Sequence, residues 1–155
     1  MATQEFPKQS DFSPVTEHIG QTLLSDGTII ETRIILADLI ITAEDPLMGP
    51  AVSLNPLIAL RAKAPPELRQ LVNDKPHVDM ATLLLTPEGG FEQVNIEKIL
   101  KPTISTYLFD KYCLTVTLDV IFVARNNRYK TDSNSPVYNL RWNINVKITK
   151  ATASK

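Results

Sequence analysis

The chain has 155 residues, 43% of them hydrophobic and 21% charged, with a net charge of −1. That length suits one ordinary domain, and that composition supplies a sizeable core and argues against wholesale disorder. A lone cysteine, Cys113, excludes an intrachain disulfide, and no Asn-X-Ser/Thr acceptor occurs, so a secreted disulfide scaffold is not expected.

Residues 1–13 lack periodicity and are expected to form a loose arm, followed by a single β-rich domain over 14–150 and a tail at 151–155. The first residues are polar and mixed in charge, unlike a signal peptide, and no apolar run is long enough to span a bilayer. The expected setting is therefore cytoplasmic, or the interior of a virion, with no membrane contact. Ser25-Asp26-Gly27 separates two short apolar runs, and an Asp-Gly pair there predicts a β-hairpin, because its turn needs residues that tolerate positive φ. The second strand continues through Ile34, Ile35, Leu36, Leu39, Ile40 and Ile41. Apolar residues at both parities predict a strand covered on both faces, by two layers or by a partner chain.

After the turn-rich stretch 44–50, Val52, Leu54, Ile58 and Leu60 share one parity and Ser53, Asn55, Arg61 and Lys63 the other. This is strand periodicity, with Pro56 marking an edge or a bulge. Residues 65–72 predict a short helix opened by proline, with Glu67 near its positive end. Residues 81–86 and 91–96 predict a further hairpin, with a helical turn over 94–100 as the alternative for its second half.

The clearest pattern is C-terminal. Tyr112, Leu114, Val116, Leu118, Val120 and Phe122 alternate with polar residues, and Tyr138, Leu140, Trp142, Ile144, Val146 and Ile148 do so again. Two strands of about a dozen residues, each roughly 40 Å long, form an antiparallel pair with one wet face. Such strands wrap a sandwich or barrel, or project as an arm. The fold class expected is all-β, or β-dominated α+β: an antiparallel sandwich or barrel with a long C-terminal hairpin and one or two short helices. A faint internal echo links Asp38–Ala43, a loop and Pro50–Leu54 to Asp119–Ala124, a longer loop and Pro136–Leu140. Chance similarity between two hairpins is the favoured reading; a true repeat would give the fold pseudo-symmetry, with an insertion at the second loop tip.

Catalytic groupings are absent: no metal-ligand spacing, nucleophile motif or glycine-rich phosphate loop occurs, and no cofactor is implied. Charge is uneven, since residues 1–109 carry 8 Lys/Arg against 14 Asp/Glu and residues 110–155 carry 8 against 3. The candidate contact residues are Arg125, Asn126, Arg128, Tyr129 and Lys130 in the hairpin loop, extended by Arg141 and Lys147 on the returning strand. Such a set suits a protein partner or a second copy of the chain. The alternative is nucleic acid, with cations on phosphates, Asn126 on base edges and Tyr129 stacked on a base. The preferred function is a non-catalytic interaction or assembly module, a subunit of a larger complex or homo-oligomer. An enzyme using Asp38 and Asp119 is the third reading.

Overall fold

The computed structural model describes residues 6–77 and 90–151. Over these the chain is an all-β sandwich, two antiparallel sheets packed together with one short helix. The first half contributes β1 (Lys8–Gln9), β2 (Ser13–Glu17), β3 (Gly20–Leu24), β4 (Ile29–Asp45) and β5 (Gly49–Lys63). The helix α1 (Pro66–Leu71) follows. The second half contributes β6 (Phe91–Val94), β7 (Ile96–Lys101), β8 (Thr103–Phe109), β9 (Tyr112–Asn126) and β10 (Val137–Lys150).

One sheet is built on β4, which pairs with β5 along one side and with β3 and β1 along the other, and β7 lies beyond β3. The second sheet is built the same way on β9: β10 lies on one side, β8 and β6 on the other, and β2 beyond β8. The pairings of β1–β5 thus recur in β6–β10, with the second strand of each unit exchanged between sheets. The sequence echo falls on the matching hairpins β4–β5 and β9–β10, and the second has the longer tip, 127–136 against 46–48. The likeness is one of element pairings. Residue registers differ, because the bulged residue precedes Asp38 in β4 but follows Asp119 in β9.

That bulge corrects the expectation for β4. Leu36 pairs with Pro56 and Asp38 with Asn55, which leaves Ala37 as the extra residue. An extra residue reverses the alternation, so Ile30, Ile34 and Leu36 before it and Leu39 and Ile41 after it all face one core. The bulge explains why Ile34, Leu36, Leu39 and Ile41 share one buried face despite mixed parity, while Ile35 and Ile40 lie half-buried on the other face. Ile121 does the same in β9, between the pairs Trp142–Val120 and Arg141–Phe122.

Where the sheets cross, small polar residues bring them close. Gly20 lies against Thr103, whose backbone nitrogen a Cβ at position 20 would approach to 2.8 Å. Thr32 and Thr103 hydroxyls are hydrogen-bonded to each other. Between its contacts with β3 and β1, β4 has no strand neighbour on that side among the described residues, and its backbone groups need other partners. Ser105 Oγ donates to the Ile34 carbonyl at 2.8 Å, and the Leu36 N–H donates to Tyr107 Oη at 2.9 Å. Tyr107 Oη in turn donates to Glu17 Oε2 at 2.7 Å. Burial, then the Glu17 contact, raises the Tyr107 pKa.

The core divides in two. Ile34, Leu36, Leu39 and Ile41 meet Tyr107, Phe109, Leu114 and Val116 in one cluster, and Leu24 and Ile30 meet Val94 and Val123 in the other. Each fully buried aliphatic side chain contributes about 1.5–3 kcal/mol.

Residues 6–13 are not a free arm. Lys8 and Gln9 pair with Ile41 and Ile40, and Phe12 stacks edge-on against Tyr107 with ring centroids 5.7 Å apart. The 94–100 segment is strand, not helix: β7 pairs with β3 through two register shifts. The expected strand 81–86 lies outside the described residues, and β6, its expected partner, pairs with the end of β9. The Asp-Gly hairpin forms, but as a longer loop with Gly27 alone at positive φ (90°) and Asp26 Oδ1 accepting from the Thr28 N–H at 2.9 Å. The helix at 66–71 is opened by Pro65-Pro66 and buries Leu68.

Candidate interaction surface

The loop 127–136 does not project. Arg69 of α1 donates through Nη2 to the Ser133 carbonyl at 2.8 Å, Asn134 Nδ2 donates to Asn73 Oδ1 at 3.2 Å, and Lys130 Nζ donates to the Asn73 carbonyl at 3.0 Å. The loop is thereby folded back onto α1 and the segment after it.

This placement divides the seven candidate residues. Arg125 follows the β9 bulge, so it faces inward, where its Nη1 lies 2.6 Å from Asp26 Oδ2. The two side chains are only 17% and 10% exposed. Asn126 is fully buried, and its Oδ1 accepts from the Arg128 N–H at 2.8 Å. Tyr129 and Lys130 are half-buried, with Lys130 bonded as above. Arg128, Arg141 and Lys147 are exposed; Arg141 lies over the Phe122 ring, 5.8 Å from its centroid. The structure therefore does not gather the seven into one patch.

The Asp26–Arg125 pair bridges the sheets at one end of the sandwich. Tyr138 Oη donates to Asp26 Oδ2 at 3.2 Å and shares a hydrogen bond with the Thr28 hydroxyl. Burial works against ionisation of Asp26, but the Thr28 backbone and hydroxyl bonds and the Arg125 charge outweigh it and lower its pKa. Tyr138 is pushed up to about 12, chiefly by burial, with the Asp26 carboxylate adding to the shift. Asp38 and Asp119 stand on different sheets: Asp38 Oδ1 accepts from Gln9 Nε2 at 3.0 Å and from the Leu39 N–H at 2.9 Å, while Asp119 accepts from Asn145 Nδ2 at 3.3 Å. Among the described residues no three His, Cys, Asp or Glu side chains group as metal ligands, and no helix is long and apolar enough to cross a membrane.

The open feature of the molecule lies elsewhere. Among the described residues β5 and β10, of 15 and 14 residues, are each hydrogen-bonded along one side only. They are the same-side edges of the two sheets, and a groove of about 720 Å³ separates Leu60–Ala64 from Val137–Leu140 and Trp142. Loop 127–136 and Arg69 close one end. Further along, Val52, Leu54 and Ile58 of β5 and Ile144 and Ile148 of β10 pack over the main core while remaining half-exposed. The rows of alternating apolar residues were legible in the sequence; that two such rows flank one groove was not.

Comparison with known proteins finds no family model, no curated protein and no solved structure that matches the chain.

Proposed function

We propose that the chain is a non-catalytic interaction module that takes a protein partner along its open side, between β5 and β10. The observation that carries this reading is the pair of long edge strands whose outer backbone is unpaired among the described residues, with half-exposed inward apolar rows. Unpaired edges are templates for further strands, and natural proteins shorten, bulge, charge or cover them or place proline there, as β5 does with Pro50 and Pro56. Here β10 carries no proline or glycine from residue 138 to residue 150. A partner bound there gains main-chain hydrogen bonds and covers apolar surface.

Nucleic-acid binding through the 125–130 loop is the weaker proposal, since Arg125 and Lys130 are occupied by Asp26 and Asn73. The test is site-specific photocrosslinking in the cells that make the protein. A benzophenone side chain at Asn139 in β10 or Ser53 in β5 is expected to capture protein, and one at Lys98 in β7 is not. Equal capture at all three positions, or none at the first two, overturns the reading.

A further inference from the structure

Resting on the interaction reading, we infer that the groove is built for an extended, acidic peptide segment of a different protein, added as a strand, and not for a second copy of this chain. Together β5 and β10 carry Arg61, Lys63, Arg141, Lys147 and Lys150 and not one Asp or Glu. Arg69 at the closed end adds a further cation, and among the described residues no carboxylate lines the groove. Glu31, itself 22% exposed, approaches Arg61 and Lys63 only at 3.8 and 3.9 Å, with the cations 72% and 47% exposed. Long contacts to cations this exposed are weak and leave both able to meet an incoming carboxylate.

Like charges oppose self-pairing. Two β10 edges bring only cations to a shared ladder, and the match centred on Ile144 sets Arg141 of each copy opposite Lys147 of the other; matches centred on Trp142 or Asn143 avoid that clash but offer no carboxylate to pair with either cation. An acidic strand meets the opposite situation. Its backbone continues the ladder, its carboxylates reach the basic outer positions, and alternate apolar side chains enter between Leu60 and Ala62 on one side and Leu140 and Trp142 on the other. The stretch Val137–Trp142 spans roughly 17–20 Å, enough for five or six residues of occupant.

Trp142 is the only tryptophan and lines the groove, so the intact chain reports on occupancy by its own fluorescence. The probes are an alternating Glu-Val heptapeptide, its Lys-Val counterpart and a single-stranded oligothymidylate, each titrated with amide hydrogen exchange read in parallel. The Glu-Val peptide is expected to change Trp142 emission, protect β5 and β10 amides, and weaken as salt rises. Arg61→Glu with Arg141→Glu is expected to weaken it by about tenfold; Lys98→Glu, on the far edge, is the folded control and leaves it unchanged.

Equal binding of both peptides, or preferential binding of the oligonucleotide, overturns the inference. Self-association that protects β10 also overturns it, while leaving the interaction reading standing. A chain that binds neither probe nor itself, and crosslinks to nothing, removes both.

Discussion

Arg125 illustrates how far a residue's role can depend on one inserted position. By simple alternation from Tyr112 it belongs to the polar face, where a cation is free to meet a partner. The extra residue Ile121 turns it inward, onto Asp26. Removing one member of such a pair leaves a charge without its counter-ion, which in buried pairs costs about 3–5 kcal/mol. With both side chains retaining slight exposure, Arg125→Met is expected to lose about 2–4 kcal/mol in urea unfolding. Asp26 also sets an acid response. Its folded pKa lies below the ordinary 3.8, so its contribution is complete above the unfolded pKa and is lost as pH falls through the folded one. Asp26→Asn should therefore be less stable than the parent at neutral pH and show a flatter stability curve below about pH 4. Tyr107 gives a second residue-scale test. Tyr107→Phe strands the Leu36 N–H in the core, and a loss of about 1–3 kcal/mol is expected by thermal or chemical melting.

Elements were readable where the apolar pattern was simple. The Asp-Gly hairpin, the 66–71 helix and the two C-terminal strands follow directly from turn chemistry and alternation. β8 escaped because its buried positions include Thr103 and Ser105 while Ile104 and Leu108 face outward, inverting the usual pattern. Those polar residues face inward because they bond to β4 across the sandwich, a contact no local window contains. β2 is short, edge-placed and interrupted by Pro14, so it left little signal. The bulge at Ala37 is likewise invisible locally, yet it decides which face Leu39 and Ile41 present. Deleting Ala37 would turn one half of β4 outward, and the expected loss exceeds the 2–5 kcal/mol of a single core Leu→Ala change, read as the yield of folded protein and its melting temperature.

At the scale of the whole molecule, the exchange of β2 and β7 between sheets makes each half depend on the other. Ser13 pairs with Leu108 and Gln21 with Lys101, so the sandwich closes only when distant segments meet. Such topologies refold in about milliseconds to seconds, and stopped-flow fluorescence of Trp142 should fall in that range. A fragment of residues 1–77 lacks β7 for its sheet, and one of 90–155 lacks β2 for the other. Neither is expected to show cooperative melting alone, whereas an equimolar mixture should regain it.

The sequence by itself determined the class of the fold, its long hairpins, its helix and the absence of a recognisable catalytic motif, because alternation and turn residues act over a few positions. Its few matching residues did not decide whether the two hairpins repeat; the recurring strand pairings appear only in the tertiary structure. Tertiary structure alone decided that the basic loop folds back, that Arg125 is held by Asp26, and that β5 and β10 flank one open groove. Those outcomes rest on bulges and on contacts between segments some hundred residues apart, where the energy of packing two sheets, not local preference, sets the position of each side chain.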